Sequence, residues 1–362
     1  MNTHHKQETK PFVSVVMPAY NESAIIQDNL NRVYRYLRGL EDRCRWELII
    51  VNDGSTDDTG ILAESFAQDK DRVYILHHMH NFRLGQALRF AFSRCAGDYV
   101  VVLDLDLSYS PEHIERLLDK IIKTHAKIVI ASPFMKGGQI SNVPKFRKFL
   151  SIRANRFLCL MAPRDRFSDK ITNITGMVRI YDGTFLKKLN LKATDYNINP
   201  EIIYKAKILR ARIVEIPAHL DWESIRKFKG RKSNLRLIRN IIQSFMSGFI
   251  FRPFMFFILP GILLLLLALY PLMWVVIHTT KFYQSYANLG IHPDDRLSQA
   301  IGEAFRLSPH AFIVGGVVLM VAVQLISLGF LAFQNKRYFE ELYHFNSTLF
   351  FRAQEKQKIE NL

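Results

Sequence analysis

The chain has 362 residues and a formal net charge of +16, and it is long enough for one sizeable α/β domain and a further part. Its three cysteines, Cys44, Cys95 and Cys159, have neither disulfide nor metal-ligand spacing. The composition therefore excludes a disulfide-stapled scaffold and a cysteine-bound zinc site, and it suits a reducing compartment.

Strands and helices are predicted to alternate through the first hundred residues. Apolar runs predict strands at residues 12–17, 46–51 and 73–76. Helices are predicted at about residues 23–40, 60–68 and 84–95. This alternation predicts parallel βαβ units in one sheet.

The next predicted strand ends in two aspartates. Residues 99–111 read YVVVLDLDLSYSP, so an apolar run leads into Asp104 and Asp106. Side chains two apart on a strand share a face, and two neighbouring carboxylates favour a cation between them and an anionic ligand. Asp53, which follows the second strand, would lie at the same edge, where ligands bind in open α/β sheets. The alternative is that these aspartates only cap helices and turns.

A basic segment follows the acidic pair. Residues 120–164 contain ten Lys and Arg and no Asp or Glu, and they include a predicted strand at 127–131 and a predicted helix at 144–161. The basic face of this helix indicates either an ordinary solvated surface or a contact with an anionic membrane or an acceptor phosphate. A helix at 198–209 and a strand at 213–216 complete the predicted domain.

Two long uncharged runs predict transmembrane helices at residues 253–277 and 311–333. Residues 224–252, just before the first run, contain eight Lys and Arg and no Asp or Glu. The positive-inside rule then places the N-terminal domain and the C-terminal tail in the cytoplasm, with the connector 278–310 outside. The polar first ten residues predict no signal peptide.

Four motifs stand in order along the predicted domain: PAYNE, NDGSTDDT, NFRLGQALRFAF and DLDLSYSP. In this order they resemble the family 2 glycosyltransferases, and within them the polyprenyl-phosphate sugar transferases of the dolichol-phosphate mannosyltransferase type. The resemblance covers roughly residues 12–235 and extends to the paired transmembrane helices of many bacterial members. It implies an α/β, Rossmann-like nucleotide-sugar-binding domain of the A-type fold, followed by two transmembrane helices.

The predicted organisation has seven parts. They are a polar tail (1–11), the cytoplasmic glycosyltransferase domain (12–223), a basic loop with an amphipathic juxtamembrane helix (224–252), a first span (253–277), an extracytoplasmic connector (278–310), a second span (311–333) and a cytoplasmic tail (334–362).

The resemblance also implies a role for each motif residue. The residues implied to bind the nucleotide sugar are Pro18, Tyr20, Glu22, Asp53, Asp104, Leu105 and Asp106, with Glu22 near the ribose and Asp53 at the base. Asp106 and Ser108 are implied to ligate Mg²⁺ or Mn²⁺. The residues implied to meet the acceptor phosphate are Arg147, Ser151, Arg179 and Lys232. The implied catalytic set is Asp104, Asp106, Arg147, Lys229 and Arg231.

Two positions depart from the family pattern. Pro133 stands where relatives often carry an arginine, which puts one diphosphate contact in doubt. Asn173 stands where relatives carry an aspartate, and Asp169 lies four residues upstream. The basic loop after residue 225 also lacks the usual Gly-x-Ser-Lys order, so its cations are implied as a group.

The resemblance therefore implies inverting, metal-dependent transfer of a sugar from a nucleotide-sugar donor to a polyprenyl phosphate at the inner membrane. A homo-oligomer such as a tetramer, and no nucleic-acid partner, are further expectations. Transfer to another lipid or to a polysaccharide is an alternative, although the Gln-x-x-Arg-Trp motif of processive synthases is absent. A non-catalytic membrane adaptor with the same fold is the third hypothesis, and the presence of Asp53, Asp104 and Asp106 argues against it.

Overall fold

The computed structural model describes residues 10–161, 170–222, 252–287 and 292–360. The chain divides into two compact units, the first comprising Met1–Phe251 with Asn346–Leu362 and the second Arg252–Phe345. The sheet belongs to the first unit.

Strands and helices alternate in the described part of the first unit. Its strands are β1 (Phe12–Ala19), β2 (Arg45–Asn52), β3 (Val73–His77), β4 (Tyr99–Val102), β5 (Ile128–Ser132), β6 (Gln139–Ser141), β7 (Arg179–Asp182), β8 (Ile213–Pro217) and β9 (His219–Asp221). Its helices are α1 (Ile26–Gly39), α2 (Thr59–Ala67), α3 (Leu84–Arg94), α4 (His113–Thr124), α5 (Lys145–Met161), α6 (Gly183–Lys188) and α7 (Ile198–Ile208). Each strand and helix predicted between residues 12 and 216 is present, with its ends within three residues of the prediction. The predicted amphipathic juxtamembrane helix lies outside the described residues.

The main sheet has seven strands in the order β3-β2-β1-β4-β7-β5-β8. All neighbouring pairs are parallel except those of β7, which runs antiparallel to β4 and to β5. The α/β, Rossmann-like prediction is confirmed, but the reversed strand was not predicted from the alternation of strands and helices. Because β7 is reversed, the chain that precedes Arg179 lies at the edge where β4 and β5 end.

Helices cover both faces of this sheet, which explains why the strands read as nearly continuous apolar runs. One core joins strand residues such as Val15 and Leu48 to α1, α2 and α4. The other joins residues such as Val16 and Ile49 to α3, α6 and α7. Each fully buried Val, Leu or Ile side chain contributes roughly 1.5–3 kcal/mol relative to an exposed one, so both cores fix the positions of the strand ends.

Residues 252–287 and 292–360, which the structure describes, form three helices: α8 (Met255–Ala287), α9 (Pro293–Leu307) and α10 (Pro309–Glu360). Within the second unit α8 and α10 pack closely, since a Cβ added at Gly261 would lie 2.8 Å from Ile326 Cγ1. Small residues at such contacts let membrane helices approach each other.

Both α8 and α10 are long and apolar enough to cross a bilayer. The mean hydropathy of their most apolar windows is 2.4 and 2.5, and only 11% and 17% of these windows are buried, unlike the core helix of a soluble domain. The second predicted span lies within α10, whereas the first begins two residues before α8 and otherwise lies within it. Helix α10 continues without a break from the second span into the predicted tail.

Candidate active site

The carboxyl ends of β1, β2 and β4 meet at one edge of the sheet. Ala19, the last residue of β1, pairs with Asn52, the last residue of β2, and the Asp53 amide then donates to the Ala19 carbonyl at 2.9 Å. On its other side β1 pairs with β4, so the strand order reverses between β1 and β4. Such a switch point is where open α/β sheets bind ligands. The predicted donor-site residues that follow these strands are Tyr20, Glu22, Asp53, Asp104 and Asp106.

The loops that follow β1 and β2 are joined by side chain–backbone hydrogen bonds. The Asn21 amide donates to Ser55 Oγ at 3.0 Å, and the Thr56 amide donates to Asn21 Oδ1 at 2.9 Å. The Glu22 amide donates to Thr59 Oγ1 at 2.8 Å. These bonds fix the backbone that follows Tyr20, a residue that is 44% exposed, and Pro18 before it is half-buried.

Asp53 is buried and binds the loop after β3. Its Oδ1 accepts hydrogen bonds from His78 Nδ1 at 2.7 Å and from the Phe82 amide at 3.0 Å. The residue at the N-cap of α2 is Asp58, so helix capping does not explain Asp53. The carboxylate instead fastens the segment 78–82 over the end of β2.

Asp104 and Asp106 lie on a tight turn just beyond β4. The Leu107 amide donates to the Asp104 carbonyl at 3.1 Å, and the Ser108 amide donates to Asp106 Oδ1 at 3.0 Å. Leu107 adopts a φ of 48°, which is uncommon for a branched residue. Both aspartates are half-buried, whereas Leu105 and Ser108 are buried.

A buried asparagine that sequence reasoning missed holds this turn from beneath. Asn29 of α1 is 6% exposed, and its Nδ2 donates to the carbonyl of Leu105, between the two aspartates, at 2.9 Å. The signal was present in the sequence, because Asn29 occupies the apolar stripe formed by Ile26, Leu30 and Val33. A polar residue on such a stripe normally has a buried partner.

The acidic pair lies close to Tyr109, which is buried. Burial raises the pKa of the Tyr109 hydroxyl, and the negative charges of Asp104 and Asp106 raise it further. Two carboxylates at the margin of a poorly solvated region repel each other unless a cation lies between them.

The donor set at this turn fits a hard divalent cation. Carboxylate and hydroxyl oxygens from Asp104, Asp106 and Ser108 are the ligand types that Mg²⁺ and Mn²⁺ prefer. Across the part of the chain that the structure describes, no group of three or more His, Cys, Asp or Glu side chains could hold a metal alone. A cation here would therefore need ligands from substrate phosphates or water, as Mg²⁺ usually does.

The irregular segment before β7 forms a further wall at the same edge. The amides of Thr172 and Asn173 donate to the Glu215 carboxylate at 2.9 and 2.8 Å. Asn155 of α5 accepts from the Ile174 amide at 3.1 Å and donates to the Thr172 carbonyl. Burial raises the pKa of Glu215, although these hydrogen bonds oppose the rise. Buried side chains thus replace the strand ladder that this segment lacks.

Asn173, which the resemblance aligns with an aspartate of the family, uses both ends of its amide. Its Nδ2 donates to the Ala131 carbonyl at 2.9 Å, and its Oδ1 accepts from the Gly176 amide at 2.9 Å. An ionised aspartate could not donate to Ala131, so asparagine suits this position structurally. Pro133, the other departure, is buried just beyond β5.

Arg179 has partners other than the predicted phosphate. It is 0% exposed, and its guanidinium donates to the carbonyls of Ile174 and of Asn199, the latter at 3.3 Å. Burial lowers its pKa, and nearby Tyr181 and Glu215 oppose that effect. Direct contact with a phosphate would require the segment around Ile174 to open.

The remaining predicted residues are placed only in part. Ser151 is exposed on α5, four residues after Arg147. The side chain of Arg147 is not among those that the structure describes. Lys229, Arg231 and Lys232 of the basic loop, together with Asp169, also lie outside the described residues.

Comparison with known proteins matches this domain to a glycosyltransferase family. The family model for glycosyl transferase family 2 matches residues 14–189. A dolichol-phosphate mannosyltransferase of Pyrococcus furiosus is 30% identical over 207 residues, which span 57% of this chain but only 55% of that protein. A polyprenol monophosphomannose synthase of Mycolicibacterium smegmatis is 30% identical over 229 residues, 61% of this chain and 82% of that protein.

Among solved structures, the mannosyltransferase PcManGT from Pyrobaculum calidifontis, in complex with GDP-Man and Mn²⁺, superposes with a TM-score of 0.46 at 15% identity. That alignment covers 94% of this chain and 87% of the other. The family model and the mycobacterial relative together show that the chain belongs to glycosyl transferase family 2.

Proposed function

We propose that the protein transfers a sugar from a nucleotide-sugar donor to a polyprenyl phosphate in the membrane, with inversion at the anomeric carbon. The observation that carries the proposal is the acidic turn of Asp104 and Asp106 at the switch point of the sheet, in a chain with two candidate membrane spans. The two relatives are named a dolichol-phosphate mannosyltransferase and a polyprenol monophosphomannose synthase, and these names support a polyprenyl-phosphate acceptor.

The donor nucleotide would lie across the ends of β1 and β2. Tyr20 presents an exposed ring there, and Glu22 is held beside it through its backbone. We assign Pro18, Tyr20 and Glu22 to the nucleoside and Asp53 to the base. The joined loops hold these groups before the donor arrives, which reduces the ordering cost of binding.

Asp106 and Ser108 would hold the Mg²⁺ or Mn²⁺ ion that binds the diphosphate, while Asp104 and Leu105 would lie against the nucleotide sugar. When bound, the cation would stabilise the negative charge on the departing nucleoside diphosphate. Two hydrogen bonds hold this turn, because Asn29 donates to the Leu105 carbonyl and the Ser108 amide donates to the Asp106 carboxylate.

The acceptor needs positioning more than activation. A phosphate monoester has a second pKa of about 6, so its oxygen is already ionised near neutral pH and needs no strong general base. Ser151 and Arg147 lie one turn apart on α5 and are assigned to the acceptor phosphate with the basic-loop residues Lys229, Arg231 and Lys232. Arg179 would act through the segment at Ile174 rather than by direct contact.

The charge distribution supports a cytoplasmic sheet domain at the inner membrane, because the basic residues 224–252 precede the first span. The two apolar helices would keep the domain beside its lipid acceptor. A homo-oligomer such as a tetramer remains part of the proposal.

The test is transfer of radiolabelled sugar into organic-extractable lipid by the full-length protein in detergent. The reaction contains undecaprenyl phosphate, Mg²⁺ or Mn²⁺, and a panel of UDP- and GDP-sugars. We expect Asp106→Ala to lower the rate at least about 100-fold, because it removes charge stabilisation of the leaving group. Asp71→Ala, an exposed aspartate just before β3 at the opposite edge of the sheet, should retain the wild-type rate.

Chelation by EDTA should stop the wild-type reaction, and added Mn²⁺ should restore it. Full transfer by Asp106→Ala would contradict the metal role. Wild-type protein that labels no lipid with any donor would contradict the transfer itself and favour the membrane adaptor.

A further inference from the structure

We infer that the donor carries a uracil-type base, with a single ring N–H between two carbonyls, rather than guanine. The inference rests on the proposed function, in which Asp53 meets the base. The supporting observation is that only one oxygen of the Asp53 carboxylate is left to accept a hydrogen bond from a ligand.

One oxygen of this carboxylate is fully used within the protein. Asp53 Oδ1 accepts from His78 Nδ1 at 2.7 Å and from the Phe82 amide at 3.0 Å. Each carboxylate oxygen has about two lone-pair sites, so these two donors fill Oδ1. Oδ2 accepts no hydrogen bond from the residues that the structure describes, and Asp53 as a whole is 4% exposed.

The two donors on Oδ1 are held in place by their own surroundings. The His78 ring stacks on Phe90, with centroids 5.1 Å apart and planes at 23°, and it meets the Phe82 ring edge-on at 5.0 Å. The His78 amide also donates to the Asn52 carbonyl at 2.9 Å. A ligand that displaced His78 would break several of these packed contacts at once.

The backbone of the same loop is pressed against the neighbouring glycine. Gly54 has a φ of +63°, and a Cβ added there would collide with the backbone of His80 and Asn81. The segment 78–82 therefore lies directly on the end of β2, and the covered oxygen of Asp53 stays covered.

The bases differ in how many donors they offer to such a carboxylate. Guanine presents two adjacent donors, its N1–H and its exocyclic amine, which match both oxygens of a free carboxylate at once. Here the second guanine donor would face the filled Oδ1 and would lose its hydrogen bond. Adenine and cytosine place a ring-nitrogen lone pair beside their donor, toward the carboxylate. Uracil offers one N3–H, which Oδ2 alone can accept.

The experiment compares UDP with GDP by calorimetric titration of the full-length protein in detergent with saturating Mg²⁺. A hydrogen-bonding group that loses its partner on binding costs about tenfold or more in affinity, so we expect UDP to bind at least about tenfold more tightly than GDP. GDP that binds as tightly as UDP, or more tightly, would overturn the inference and leave the proposed transfer intact. If neither diphosphate binds, the proposed function fails and the inference fails with it.

His78→Phe tests the cause of the selectivity. Phenylalanine can keep the stack on Phe90 but removes one donor from Oδ1, so the preference for UDP over GDP should shrink several-fold. His77→Phe is the matched control, because His77 contacts Asn52 and Glu64 instead of Asp53. An unchanged preference in a folded His78→Phe protein would refute the role of the filled oxygen, and the wild-type comparison decides the base even if this variant fails to fold.

Discussion

The hydrogen bond from Asn29 to Leu105 predicts a residue that acts on the acidic pair without touching the substrate. Asn29→Leu keeps a side chain of similar size and branching but removes the amide donor. The Leu105 carbonyl, on a residue that is 2% exposed, then has lost its side-chain partner. The turn must either keep this buried carbonyl unpaired or shift so that water reaches it.

The size of the effect follows from the burial of that carbonyl. A buried acceptor left without its partner costs about 1–3 kcal/mol. If the turn relaxes to relieve this cost, the relative positions of Asp104 and Asp106 change, and the cost appears in cation binding. We then expect the Kd for Mn²⁺ in the presence of nucleoside diphosphate to rise about 5- to 150-fold. The free energy of unfolding should fall by no more than about the same 1–3 kcal/mol.

Electron paramagnetic resonance of free Mn²⁺ measures this Kd directly and does not depend on turnover. Asn31→Leu is the control, because Asn31 lies on the same helix with an exposed side chain. It should leave the Mn²⁺ affinity unchanged. A folded Asn29→Leu protein that binds Mn²⁺ with wild-type affinity would refute the reasoning, since the turn would then not depend on this bond.

Two further predictions concern other hydrogen bonds of the sheet domain. Asn155→Ala frees two backbone groups on the segment before β7, so the KM for the lipid acceptor should rise several-fold while nucleotide affinity, measured by calorimetry, stays unchanged. Asp182 caps α6 and pairs with Lys127. Burial raises the pKa of Asp182, but these hydrogen bonds outweigh burial, so the pKa lies below its usual value. Asp182→Ala should therefore lower the free energy of unfolding by about 1 kcal/mol at pH 7. This difference should fade below about pH 4, because the native carboxylate is then protonated. Thermal unfolding followed by tryptophan fluorescence measures it.

Each of these predictions has a clear contrary result. An Asn155→Ala protein that loses nucleotide affinity but keeps its acceptor KM would assign α5 to the donor side. A stability difference for Asp182→Ala that is constant from pH 7 to pH 3 would mean that the charge of Asp182 does not matter. In that case its hydrogen-bond geometry alone would explain the cap.

Local patterns predicted the part of the site that follows the parallel strands. The apolar runs of β1, β2 and β4 are buried on both faces, so their ends and the polar residues after them could be read directly. The positions of Asp53, Asp104 and Asp106 at one edge then followed from the parallel arrangement. As contacts with substrate, these assignments stay predictions.

Long-range hydrogen bonds could not be read in the same way. Glu215 binds Thr172 and Asn173 across more than forty residues of sequence, and no periodicity reports such a pairing. That pairing holds the chain just before it enters the sheet as the reversed strand β7. Arg179 illustrates the consequence, since its motif position suggested a phosphate contact and only the fold reveals its burial.

The buried polar residues around Thr172 explain how an irregular segment can serve as a fixed wall. A loop without ladder partners normally needs water for its amides and carbonyls, and it then moves with that water. Here Glu215 supplies acceptors, while Asn155 and Arg179 supply donors, all from elements that are themselves anchored in the cores. Apolar replacements would fill the same space but would leave the backbone of the segment unsatisfied. The polarity of this region therefore keeps the segment fixed to α5 and β8, and the proposed transfer from a bound nucleotide to a lipid phosphate would depend on such fixed positions.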